Sequence, residues 1–407
     1  MEFSTYRLKN GIRLIHSQVK SNVAHFGVFV NAGSRDELPH EHGIAHFIEH
    51  AIFKGTKHRK AYHIISRLDD VGGELNAYTT KEETVIHASF LKPYYARTFE
   101  LMSDILFNSV FPEKELEKEK DVILDEISST FDNPAEQIYD DFEEIIFRNH
   151  PMGRSILGKA EKIKQFTSQD IKTFIANNYY TDQIVLSSVG NIRPEKAIEL
   201  AELYFGNTPA TTKQNKRETI STLSAVTQSQ TFQTTQTHFI IGCPAYSLYH
   251  PQRLSLILLN NLLGGPGMNS RLNLTLRERN ALTYSIESDY TPYSDTGVFS
   301  VYFALDNEDV PRATSLIMKE FDLLRKTKLG TLQLHKAKRQ IIGQLAISAE
   351  SNENIMMSIG KSHLAYEHID SLKEINAKIE AITAMQLIDT ANEILDPKNL
   401  STLIFHA

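Results

Sequence analysis

FTSQDIKTFIANNYYTDQIVLSSVGN, residues Phe166 to Asn191, aligns without a gap to ITAMQLIDTANEILDPKNLSTLIFHA, residues Ile382 to Ala407. Both read as helix, short turn, strand. One offset of 216 residues carries the whole alignment and is close to half of the 407-residue chain, which points to duplication of an α+β unit of about 200 residues. The fold expected is therefore α+β, in two homologous halves. Each half is a mostly antiparallel sheet packed against helices.

The rest of the chain fits two halves. In the first, YRLKNGIRLIHS, NVAHFGVFVNAG and the stretch from Thr84 to Phe90 predict strands, with helical patterns between and after them. In the second, HFIIGCPAY and GVFSVYFALD predict strands, Leu254 to Leu263 a buried helix, and the chain from Val310 onward long helices. The Thr-, Gln- and Ser-rich segment from Thr208 to Thr237 reads as a linker running into a strand. The domains expected are residues 1–207, a linker at 208–225, and residues 226–407.

Composition narrows the function classes. With 41% apolar and 23% charged residues the chain is an ordinary globular sequence, long enough for two domains. Its 43 Lys and Arg against 50 Asp and Glu, net charge −7, argue against binding to nucleic acid or anionic membranes. One cysteine, Cys243, excludes an intrachain disulfide and a Cys-rich metal site; in its apolar stretch it reads as a small core residue. No apolar run reaches the ~18 residues of a membrane span, and the N-terminus lacks the pattern of a secretory signal. The cytoplasm is the expected compartment. Gly360 to Ser362 is not a phosphate loop, because Ile355 stands where the loop needs glycine.

The chemistry-bearing stretch is EHGIAHFIEHAIFKG, residues 41–55, with His46, Glu49 and His50 in the pattern H-x-x-E-H. On a helix, His46 and His50 at i and i+4 project from one face and can share a metal ion; Glu49 lies beside them, free to take a proton. Zinc suits such donors. A third ligand must come from another element, and the candidate is the helix expected from Pro112 to Asp132, where Glu119, Val122 and Glu126 share a face. His40, His42, His58 and His63 read as surface histidines.

These motifs resemble those of the inverted-zincin metallopeptidases, the family of pitrilysin and insulin-degrading enzyme, closest in length and layout to the catalytic subunit of the mitochondrial processing peptidase and its homodimeric bacterial relatives. HFIEHAIFKGT is similar to that family's zinc helix almost residue for residue. The resemblance implies one zinc ion per chain held by His46, His50 and Glu126, the last 76 residues beyond His50, with Glu49 as general base and Glu119 as the additional active-site carboxylate. GGELNAYTTKEET, Gly72 to Thr84, resembles the segment that lays peptide along a strand edge, which assigns Asn76 and Ala77 to substrate binding. LGGPGMNSRLNLTLRERNALTYS, Leu263 to Ser285, resembles the family's glycine-rich loop and helix, with Arg277 and Tyr284 placed to stabilise an oxyanion. It departs in Pro266 and in RNALTY, which leaves the loop shape open.

The implied function is a zinc-dependent endopeptidase that hydrolyses unfolded peptides or presequence-like segments in a closed chamber, the chain forming half of a clamshell. A homodimer with composite sites is implied as well. The alternative is a non-catalytic scaffold or partner subunit of the same fold. Such members lose zinc- or carbonyl-binding residues, and this chain keeps them.

Overall fold

The computed structural model describes residues 2–214, 216–220 and 224–407, so part of the expected linker lies outside the described residues. The chain forms two compact units, Met1–Ser128 with Arg154–Arg217 and Ile347–Ile369, and Ser129–Gly153 with Glu218–Ala346 and Asp370–Ala407. Each unit is thus assembled from both parts of the chain. The described linker residues up to Arg217 belong to the first unit, where Arg217 donates to both carboxylate oxygens of Asp36 at 2.9 Å.

The first unit holds a six-stranded sheet of β1 (Ser4–Arg7), β2 (Arg13–Gln18), β3 (Val23–Val30), β4 (Glu74–Thr79), β5 (Thr84–Leu91) and β6 (Ile184–Gly190), in the order β1-β2-β6-β3-β5-β4. The second holds β7 (Thr227–Thr231), β8 (Thr237–Ala245), β9 (Ile286–Pro292), β10 (Gly297–Leu305) and β11 (Ser401–His406), in the order β7-β11-β8-β10-β9. With β1 removed the two orders coincide strand for strand. In each sheet one pair is parallel, β2 with β6 and β7 with β11, and the other pairs are antiparallel. The aligned segments are helix Ser168–Asn178 before β6 and helix Ala384–Ile394 before β11. Each helix opens on a capping box, at Thr167 with Asp170 and at Thr383 with Gln386.

Both faces of each sheet are covered. In the first unit Phe26, Phe99 and Phe205 form an aromatic core on one face, Phe26 and Phe99 stacked at 3.9 Å. The other face meets the helix Asn352–Tyr366 through Ile355, Met356 and Ile359. Gly360 is needed there, because a Cβ would fall 2.3 Å from the Phe29 ring. In the second unit the corresponding cover is the helix Pro134–Ile146, which seats Ile138 and Phe142 against Ile240, Leu403 and Phe405. The predicted buried helix is observed at Arg253–Gly264, and Cys243 is 2% exposed within the core.

Candidate metal centre

The H-x-x-E-H stretch forms the helix Ile44–Ala51. Ile44, Phe47, Ile48 and Ala51 are fully buried against Leu116, Ile123, Phe166, Ile171 and Phe174, with Phe47 edge-on to Phe166. Burial of side chains this size stabilises by ~1.5–3 kcal/mol each, and the helix is thereby docked so that His46, Glu49 and His50 lie on its remaining face. Beside it runs β4, whose Thr79 hydroxyl donates to the Ala45 carbonyl at 3.4 Å.

The helix Glu113–Asp132 brings the carboxylates. Glu126 Oε2 is 3.7 Å from His46 Nε2 and 3.4 Å from His50 Nε2. One donor atom from each of the three residues lies within 4.8 Å of the other two, and no other such group exists among the described residues. Burial, and then the neighbouring His50, lower the His46 pKa to about 4, so at neutral pH its ring offers a lone pair. The donor set of two imidazoles and one carboxylate suits zinc and leaves room for a fourth ligand. On this test the residues fit the ion.

Around them lies a supporting set. Glu119 is 10% exposed; its Oε2 is 3.5 Å from His50 Nδ1, and its Oε1 is 2.7 Å from Lys54 Nζ. Glu119 can therefore fix the ring of His50 from the side away from Glu126, while Lys54 balances its charge. Burial raises the pKa of Glu49, opposed by hydrogen bonds from Thr79. A carboxyl shifted upward in this way holds a proton more readily than a free one, as a general base must.

Asn76 and Ala77 lie on β4, an edge strand paired only with β5, Asn76 opposite His87 and Ala77 opposite Ile86. Arg277 and Tyr284 belong to the second unit. Arg277 sits in a π-helical turn, Asn273–Glu278, and its guanidinium lies over the Tyr284 ring at 4.9 Å. Tyr284 is 84% exposed.

Sequence reasoning did not single out Lys54, Thr79 or Glu37. Lys54 stands four residues after His50, a helical spacing that could have flagged it. Thr79 and Glu37 act through contacts that no local pattern announces. Glu37 is 3% exposed, and its carboxylate accepts hydrogen bonds from the Gly43 and Ala45 N–H groups. Burial pushes its pKa up to about 8 against those two bonds. The bonds themselves favour the anion, since both oxygens accept.

Comparison with known proteins identifies the family. Residues 13–160 match insulinase (peptidase family M16), and residues 165–341 match the peptidase M16 inactive domain. The chain is 31% identical to an uncharacterised zinc protease of Bacillus subtilis over 96% of this chain and 95% of the relative. It is 29% identical to the beta subunit of the mitochondrial processing peptidase of Saccharomyces cerevisiae over 98% and 89%. Its fold superposes on a protease from Helicobacter pylori with a TM-score of 0.92, at 22% identity, over 100% of this chain and 99% of the other. With both halves matched, and a relative above 30% identity along nearly its full length, the chain belongs to the insulinase family, peptidase family M16.

Proposed function

We propose that the protein is a zinc-dependent endopeptidase for unfolded peptides or presequence-like segments, with one zinc ion per chain held by His46, His50 and Glu126. The observation that carries this reading is the convergence of those three donors within 4.8 Å, with the half-buried carboxyl of Glu49 on the same helix face. Zinc, when bound, supplies Lewis acidity and lowers the pKa of water to ~7. Glu49 takes the proton from the attacking water and returns it to the leaving amine. Glu119, steadied by Lys54, keeps the His50 ring turned toward Glu126.

The substrate backbone pairs with the open edge of β4 at Asn76 and Ala77, which requires an extended and therefore unfolded segment. Arg277 and Tyr284 donate to the scissile carbonyl and to the oxyanion it becomes. We assign that pair to a second copy of the chain in a homodimer with two composite sites. The exposure of Tyr284 supports this assignment, since its ring is open to a partner. A cytoplasmic compartment is part of the same proposal.

The test is metal analysis together with a map of cleavage in a mixed peptide library, run with and without a chelator. The reading expects one zinc per chain and cleavage that is abolished by the chelator and restored by zinc. Absence of both metal and cleavage would leave the scaffold alternative standing.

A further inference from the structure

The ligand helix is short and lacks an ordinary start. Ile44–Ala51 has eight residues, about 12 Å of helix, too few to be stable alone. The first N–H groups of a helix have no partner within it, and Ser, Thr, Asp or Asn commonly supplies one from the N-cap. Here the N-cap is Gly43, at φ +99°, with no side chain to give.

The missing acceptor comes from six residues upstream. Glu37 Oε2 receives the Gly43 N–H at 3.0 Å and Oε1 receives the Ala45 N–H at 2.9 Å. One carboxylate thus spans the start of the helix, where the positive end of the dipole favours an anion. Glu37 is itself anchored: Arg154 Nη1 donates to its carbonyl at 2.9 Å, and Lys81 Nζ donates to the Arg154 carbonyl at 2.6 Å. A second contact presses on the same point. The backbones of Gly43 and Gly158 meet so closely that a Cβ on Gly158 would fall 2.4 Å from the Gly43 Cα.

We propose that Glu37 is a positioning residue of the metal centre, its carboxylate fixing the helix that carries His46, Glu49 and His50. The inference rests on the zinc-peptidase reading. Ala45 is adjacent to His46 in the chain, so a displaced helix start moves the first ligand before it moves anything else. Glu37 is not one of the three converging donors.

The experiment measures zinc affinity by chelator competition in Glu37→Ala and Glu37→Gln, with amide exchange at residues 43–46 as a second readout. Asp104→Asn is the control. Asp104 is a buried carboxylate of the same unit that accepts from Thr56 and Arg59 and touches no ligand helix. Loss of an outer partner of a metal site weakens binding about 10–100-fold, and that is the expectation for Glu37→Ala. Glu37→Gln keeps one acceptor and falls between Glu37→Ala and the native protein. Exchange at residues 43–46 accelerates in both, and Asp104→Asn keeps native affinity despite its loss of thermal stability. If Glu37→Ala does not fold, Glu37→Gln decides alone. Native affinity and native exchange in the Glu37 variants overturn the inference, as does an equal weakening in Asp104→Asn. A native protein that takes up no zinc overturns the peptidase reading, and this inference falls with it.

Discussion

The helix Ile44–Ala51 follows β3 and packs beside the edge strand β4; the helix Arg253–Gly264 follows β8 and packs beside the edge strand β9. Two sheets of matching order therefore place a helix in the same way, yet only the first of these helices carries the His-x-x-Glu-His set. The first helix turns His46, Glu49 and His50 away from its apolar contacts. The second is RLSLILLNNLLG, and it is closed onto its strand: Asn260 Nδ2 donates to the Ser288 carbonyl at 3.2 Å, and Ser288 Oγ donates to the Asn260 carbonyl at 3.0 Å. Gly264 lets that strand approach, since a Cβ there would lie 2.8 Å from Ser288 N. The contrast teaches that the layout supplies a place beside a strand edge, and the side chains of one helix decide whether that place is a core or a site.

The comparison can be broken most directly at the third ligand. Glu126→Gln removes the carboxylate on which both imidazoles converge. Zinc uptake and peptide cleavage should fall together, by at least the about 10–100-fold cost of losing a mere outer partner. Survival of both in the variant would show that the convergence is incidental.

A smaller effect is expected from mixing lesions of the two units. Glu49→Gln and Arg277→Ala chains are each inactive on the composite-site reading, and heterodimers carry one site with both lesions and one with neither. Random pairing of equal amounts should restore about a quarter of native activity. If the two units of one chain serve the same site, mixing restores nothing.

Protonation should separate the units by stability. His363, 6% exposed in the first unit, has its pKa lowered to about 4 by burial first, and then by Arg13. Between about 6.5 and about 4 the unfolded chain binds a proton there that the folded one refuses, so stability falls as pH drops through that window. The loss is about 3 kcal/mol at its full extent. Thermal melts of metal-free protein between pH 7 and pH 4 should show it, and His363→Gln should flatten the slope; an unchanged slope would remove His363 from the account.

The smallest effect belongs to the second helix. Asn260→Ala should cost ~1 kcal/mol, the net worth of one hydrogen bond, seen as a modest drop in melting temperature, with zinc affinity and turnover unchanged. A loss of zinc in that variant would contradict the division of labour between the helices.

Much of this was legible in the chain because it is local. The offset of 216 residues returned the same helix, turn and strand, and the strands around β3, β5, β8 and β10 alternate or run apolar as buried strands do. The spacing of His46 and His50 is a property of any helix, so their shared face needed no fold to be seen. What stayed hidden depends on partners distant in sequence. The helices Pro134–Ile146 and Asn352–Tyr366 each cover a sheet face, but nothing in their own residues says which sheet receives them. Lys54 meeting Glu119, and Glu37 reaching the N–H groups of Gly43 and Ala45, are contacts of the folded chain. The glycine at the N-cap was the one local sign that some remote acceptor was required. The π-helical turn at Arg277 has no sequence signature of its own.

On the proposed reading the helix Ile44–Ala51 divides metal holding and proton transfer between separate residues. Glu49→Gln tests it most directly, with zinc content and turnover of an unfolded peptide measured on the same sample. One zinc per chain should be retained and turnover reduced by about 10²–10⁴-fold, the usual contribution of a general base. Near-native turnover with zinc in place would contradict it.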